Sequence, residues 1–208
     1  MASGGDNISK IYQLKIFLIG ISPMIWRRIL IPDNSTIKDL HYILQILMGW
    51  DDYYLHQFII RGKRFGISRW HGICFSDNPD QVCLKEFHFR INEKFIYEYN
   101  FFSKWQVQIR IEKFLPLDDR KAYPLCIGGS NQAPDEECQG PWAFMALRQK
   151  YSKWYIIHRM IDFIEGNDED IEDEFDNFNY WLNIDKFDRR TINDRLKKYS
   201  LGFDHWEN

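Results

Sequence analysis

Two runs of alternating polarity, Lys94-Phe-Ile-Tyr-Glu-Tyr-Asn-Phe101 and Trp105-Gln-Val-Gln-Ile-Arg-Ile-Glu112, are separated only by Phe102-Ser-Lys104. Successive side chains of a strand point to opposite faces, so a period of two lines up one apolar row. Two such runs joined by so short a link predict a β-hairpin whose inward set is Trp105, Val107, Ile109 and Ile111. The amino-terminal stretch agrees with it. Tyr12 to Ile21 begins with alternation and becomes fully apolar, Ser22-Pro23 turns the chain, and Ile25 to Ile31 forms a second strand ended by Pro32-Asp33-Asn34. Leu55 to Ile60 reads as a further strand, followed by the basic turn Arg61-Gly-Lys-Arg64.

Helical periodicity enters once in this half. Ile37, Leu40, Ile43, Leu44, Leu47 and Met48 share a face, Ser35 or Thr36 can N-cap it with Asp39 in the first turn, and Gly49 stops it. Residues 65–82 are irregular, and a short helix fits Cys83 to Phe87. Tyr123 to Pro141 reads as a structured loop. Helical spacing then dominates over about 142–165, 174–183 and 190–199, the last capped by Thr191 or Asp188. Strands first and helices later predict an α+β fold: a mostly antiparallel sheet covered by the helix of the first half and by the C-terminal helices. The expected layout is a leader over 1–10, one domain over 11–200 and a tail over 201–208.

Composition limits the function. Hydrophobic residues make up 45% of the 208 and aromatics 17%, which excludes wholesale disorder. Four cysteines are too few for a disulfide scaffold. No run approaches the roughly 20 apolar residues of a membrane span, and no basic, then apolar, leader opens the chain, so a cytoplasmic protein with reduced thiols and no membrane partner is expected. Residues 1–117 carry 15 Lys/Arg against 11 Asp/Glu (+4), and residues 118–208 carry 12 against 19 (−7). The net charge of −3 does not suit a strongly basic nucleic-acid-binding chain, although one basic face remains available.

Three groups of residues could carry chemistry. Arg61, Lys63, Arg64 and Arg69 cluster with Trp70, and Arg27 lies beside Trp26; cations can contact phosphates and aromatics can stack on bases. Alternation puts Arg27 and Arg28 on opposite faces of a strand, so only one of them joins a given patch. Cys126, Cys138, His56 and Glu136 are of metal-ligating types, but no C-x-x-C or H-x-x-x-H spacing supports them. The run from Glu165 to Asp176 holds eight carboxylates in twelve residues and fails the EF-hand pattern, with Asp173 and Asn179 where a loop starting at Asp168 needs Gly and Glu. It reads as a solvated or partner-facing segment.

Several segments together resemble one family. Pro23-Met-Ile-Trp-Arg-Arg28, Asp39-Leu-His41 running to Met48-Gly-Trp-Asp51, Leu55-His-Gln-Phe58, Tyr97-Glu-Tyr99 with Trp105, Tyr123-Pro-Leu-Cys126 through Asp135-Glu-Glu-Cys138-Gln-Gly-Pro141, Trp181-Leu182, Phe187-Asp188 and Ile192-Asn193 follow the order of the plasmid pRi ORF-three-like family, also labelled an insertion-element passenger TnpR-like domain. The resemblance covers about residues 11–196 and implies one α+β domain of largely unknown function, found on plasmids, mobile elements and chromosomes. A resolvase activity is not implied, since no nucleophilic Ser ringed by Arg is identifiable. The family's acidic D-F-G-D turn, its Trp and a His three residues later fall here on Asn100, Phe101, Phe102, Ser103, Trp105 and Gln108, and Ala133 stands where many relatives have Cys. Two carboxylates and an imidazole are thus replaced by neutral groups.

A non-catalytic binding protein linked to mobile or defence-related elements, with nucleic acid or a protein as partner and no cofactor, is the expectation these departures favour. The alternatives are an enzyme using a divalent metal on a phosphorylated or nucleic-acid substrate, and a protein-interaction module docking through its acidic segment.

Overall fold

Seven strands pair into one antiparallel sheet in the computed structural model, which describes residues 10–69, 72–166 and 174–203. They are β1 (Lys10–Leu18), β2 (Trp26–Pro32), β3 (His56–Ile60), β4 (Lys63–Phe65), β5 (Lys94–Tyr99), β6 (Trp105–Pro116) and β7 (Leu125–Ser130). Their spatial order is β4-β3-β5-β6-β1-β2-β7. The predicted β5–β6 hairpin is present, with Tyr99 opposite Trp105 and Lys94 opposite Arg110. Its inward set Trp105, Val107, Ile109 and Ile111 is fully buried.

Period-two patterning sorts the two faces. Leu14, Ile16, Leu18, Ile29, Ile31, Phe58 and Tyr97 join the hairpin's inward row in the core. The opposite face is polar along its middle: Glu112 accepts from Arg28 at 2.6 Å, from Gln13 at 2.8 Å and from Arg110 at 3.3 Å. The hydrogen-bonded Arg28 guanidinium, ahead of the other partners, draws the Glu112 carboxyl down to about 2.

Helix α1 (Ile37–Met48) lies over the inward face, with His41 and Gln45 reaching Tyr97 of β5 and the Leu47 carbonyl meeting Arg27 of β2. Both of its ends follow the sequence signals. Thr36 and Asp39 form a capping box, and Gly49 closes the helix in the left-handed region at φ 68°. The C-terminal helices are α2 (Gly140–Lys150), α3 (Lys153–Ile164), α4 (Phe175–Leu182) and α5 (Arg189–Ser200). Asp188 is the N-cap of α5. Asn193 of α5 binds the backbone of Cys126 through both amide atoms, at 2.8 and 3.0 Å, and so satisfies part of the outer edge of β7. Tyr199 donates to Asp39 at 2.7 Å and ties α5 to the start of α1.

Three local readings are corrected. The helical stretch 142–165 is two helices, because the Ser152 hydroxyl accepts from the Tyr155 N–H and starts a new one. The basic turn is the tight end of a β3–β4 hairpin: Arg61 at φ 50° and Gly62 at φ 80° supply the two positive φ angles of a type I′ turn. Leu125 to Ser130, read as loop, is the edge strand β7. Its Gly128-Gly129 pair hid the alternation, and it has a packing reason, since a Cβ on Gly129 would sit 2.5 Å from the Phe187 ring.

Candidate functional site

Two sites adjoin α1, each holding an arginine. The first joins α1, the start of β3 and the middle of β5. His41 of α1 and His56 of β3 stack face to face with ring centroids 3.7 Å apart, both essentially buried. The Gln45 amide donates to the Tyr97 hydroxyl at 2.8 Å, so the tyrosine proton is free to go to His41 Nδ1 at 2.9 Å. That fixes the His41 proton on Nε2, which meets Asp52 Oδ1 at 2.8 Å. Asp52, at φ 57°, also receives the Arg69 guanidinium, and its N–H returns to Gln45 Oε1 at 3.1 Å. The circuit Gln45–Tyr97–His41–Asp52–Arg69 is therefore closed.

Burial sets the protonation of this circuit. It lowers the His41 pKa despite the Asp52 hydrogen bond, and it lowers the His56 pKa further with the help of His41 and Arg69. Burial pushes the Tyr97 hydroxyl well above its ordinary value. His56 Nε2 accepts from the Ile67 N–H at 3.2 Å, which leaves Nδ1 as a buried N–H with no acceptor among the described residues.

His41, Asp52 and His56 present ligand atoms within 4.8 Å of one another, the one such group among the described residues. All of their ligand atoms but His56 Nδ1, whose proton is fixed there by the Ile67 N–H on Nε2, are already committed, and Arg69 supplies the positive charge a divalent ion would bring. A metal would have to displace Arg69 from Asp52 and the Ile67 N–H from His56. The arrangement suits an internal ion-pair network better than a metal centre.

The second site is a cleft of about 830 Å³ between the C-terminal turn of α1, the 132–138 loop and helices α2, α4 and α5. Its walls are mainly apolar and aromatic, among them Phe144, Tyr151, Trp181, Phe187 and Ile192. Tyr151 and Trp181 stack with centroids 5.8 Å apart, and the Tyr180 hydroxyl donates to the Ala133 carbonyl at 3.0 Å, which joins two walls.

Arg27 of β2 lines this cleft with 2% of its surface exposed. Its Nε donates to the Leu47 carbonyl at 3.1 Å, and Nη1 donates to the carbonyls of Trp26 and Ser130, both at 2.9 Å. The Phe187 ring covers the guanidinium at 4.4 Å. Leu47 lies in the last turn of α1, which has no basic residue of its own, so Arg27 also meets the negative end of the helix dipole. Burial draws the guanidinium down to about 10, still protonated at neutral pH.

The sequence-named residues are dispersed. Arg61 forms a two-bond ion pair with Glu93 at 2.7 and 3.0 Å, Lys63 pairs with Asp77 at 2.7 Å, and Arg69 turns to Asp52. Arg64 is exposed, and Trp70 lies outside the described residues, as does 167–173 of the acidic run. Arg27 is buried on β2, four places across the sheet from β3. The basic residues thus form no single patch among the described residues.

Of the metal candidates, His56 belongs to the stack, Cys126 is buried on β7, and Cys138 lines the cleft. Glu136 accepts from the Tyr99 hydroxyl at 2.5 Å, and burial raises its carboxyl. Among the described residues these four do not share a site.

Asn100 holds the turn between β5 and β6. At φ 50° it accepts from the Ser103 N–H at 3.2 Å and donates to the Glu136 carbonyl at 3.1 Å. Gln108 lies on the other face of β6 from the core row. Arg27 and His56 were named from the sequence, the one as part of a basic patch and the other as a metal ligand, but the stacking of His56 on His41 and the burial of Arg27 in a cleft were not foreseen, although signals existed. His41 sits within the apolar face of α1, His56 is in phase with Phe58 and Ile60, and Arg27 is in phase with Ile29 and Ile31.

The family model described as plasmid pRiA4b ORF-3-like protein matches residues 10–194. An uncharacterized protein of Sinorhizobium fredii is 26% identical over 143 residues, covering 66% of this chain and 71% of that protein. A crystal structure of a protein of unknown function from Methanosarcina mazei superposes with a TM-score of 0.67 at 29% identity, over 88% of this chain and 96% of that one. No helix among the described residues is long and apolar enough to cross a membrane.

Proposed function

The chain belongs to the plasmid pRiA4b ORF-3-like family, and on that premise we propose that it is a non-catalytic small-molecule-binding protein whose ligand enters the cleft over α1. The cleft carries this reading. Its volume of about 830 Å³ is in the range of ligand pockets, and its walls are largely apolar and aromatic, with charged residues at Arg27, Asp135, Asp176, Lys186, Asp188 and Arg195. The surface around Arg61 offers a nucleic acid little, since its cations are largely spent on Glu93, Asp77 and Asp52.

The test is titration of the protein with phenylacetate and phenylacetamide, followed by NMR. Saturable shifts confined to cleft residues such as Trp181 and Tyr151 are expected with at least one probe. Leu147→Trp, which fills the mouth from α2, should abolish them without changing the unfolding midpoint. Absence of such shifts with both probes, or an unchanged response in Leu147→Trp, would refute the reading.

A further inference from the structure

We propose that Arg27 is the anchor of this cleft and that the ligand it selects is a small monocarboxylate with an apolar or aromatic body; this rests on the cleft being the binding site. Among the described residues no carboxylate lies within ion-pairing distance of Arg27, although its side chain is almost wholly buried. Buried charges are ordinarily paired, because stripping water from an ion is costly and neutral carbonyls return only part of that cost.

The donor count shows where the pairing is incomplete. Carbonyls of Leu47, Trp26 and Ser130 take Nε and Nη1. Nη2 has no acceptor among the described residues and is not fully enclosed, and because Arg27 lines the cleft we assign its open edge to that side. Phe187 seals one face of the guanidinium and confines approach to its edge, where a carboxylate oxygen makes a charge-assisted hydrogen bond. That cover requires Gly129, since any Cβ there collides with the ring.

The class of anion follows from the charges around the floor. One guanidinium compensates one negative charge. Of the other charged residues that line the cleft, Asp135, Asp176 and Asp188 outnumber Lys186 and Arg195 by one, so the surroundings of Arg27 add no pull on a dianion such as a phosphate monoester. The aromatic walls then take an uncharged body of modest size.

Calorimetry with three probes of one shape tests this: phenylacetate, phenylacetamide and phenyl phosphate, against the full chain and the Arg27→Met and Arg27→Lys variants. The wild-type protein should bind phenylacetate about tenfold tighter than phenylacetamide, the factor expected of one charge-assisted bond, and phenyl phosphate less tightly than phenylacetate. In Arg27→Met the acid-to-amide ratio should fall to near one with the amide affinity retained, and Arg27→Lys should keep part of the preference. Equal wild-type affinities for acid and amide would overturn the anchor while leaving the cleft reading intact, and they need no variant to be seen. A preference that survives in Arg27→Met would also overturn it, and tighter binding of phenyl phosphate would overturn the monocarboxylate class. If neither acid nor amide binds, the cleft reading falls and the anchor with it.

Discussion

Arg69, in the loop after β4, holds Asp52 just beyond α1, Arg27 of β2 meets the last turn of that helix, and their surroundings are opposite. Arg69 keeps about a third of its side chain in water, and its charge is met by the Asp52 carboxylate, which is itself held by His41, although its Nε has no partner among the described residues. Arg27 has almost no contact with water and meets only carbonyl dipoles and an aromatic face. The first arrangement is a closed circuit that fixes the position of α1 against β3 and β5. The second leaves a charge with spare donor capacity on the floor of a cleft. The lesson is that burial alone does not distinguish a structural arginine from a binding one; the identity of its acceptors does.

Breaking the closed circuit should give the largest effect. His41→Ala removes a buried ring and leaves the Tyr97 hydroxyl and Asp52 short of a partner, for an expected loss of about 3 kcal/mol in urea unfolding. Arg69→Met should cost less, about 2 kcal/mol, because it strands Asp52 in a site that is still partly solvated. Arg27→Met should cost least of the three, about 1 kcal/mol, although Arg27 is the more buried arginine. It deprives neutral carbonyls rather than a carboxylate, and it removes a desolvated charge. If Arg27→Met proves more damaging than Arg69→Met, the contrast between the two sites is wrong.

A pH series sharpens the same contrast. Burial lowers the folded-state pKa of both His41 and His56 below the unfolded value of about 6.5. The unfolded chain therefore binds protons first as the pH falls. The stability these residues contribute is intact above about pH 6.5 and is lost progressively below it, down through their depressed folded-state values. Unfolding midpoints measured from pH 8 down to about 5 should decline at the acid end, and His56→Phe should flatten that decline. An unchanged slope in the variant would mean that the stack does not titrate as its burial requires. The smallest effect is expected at the β3–β4 turn: replacing Arg61 and Lys63 by Ala should leave phenylacetate binding as it was, checked by the same calorimetry.

Much of the scaffold could be read from period and punctuation. The β5–β6 hairpin followed from two alternating runs, and both ends of α1 followed from Thr36, Asp39 and Gly49. The edge strand β7 could not be read, because Leu125-Cys-Ile-Gly-Gly-Ser selects glycine for the approach of Phe187, a residue 58 positions beyond Gly129. Alternation correctly separated Arg27 from Arg28, but it carries no information on which face is inward. That depends on where α1 and the C-terminal helices settle. The same holds for the histidine stack: each ring lay on an apolar face of its own element, and only the packing of α1 over β3 brought them within 3.7 Å. The basic cluster at 61–69 failed as a patch because the acids that neutralise it, Glu93, Asp77 and Asp52, come from separate parts of the chain.

The most direct test compares the two arginines in one sample. Side-chain Nε–Hε resonances of Arg27 and Arg69 can be followed by nitrogen-edited NMR while phenylacetate is added. The Arg27 signal should move saturably, in step with the resonances of Trp181, and the Arg69 signal should stay in place. A stationary Arg27 signal at saturating probe, or equal movement of both, would contradict the division of labour between the closed circuit and the open floor.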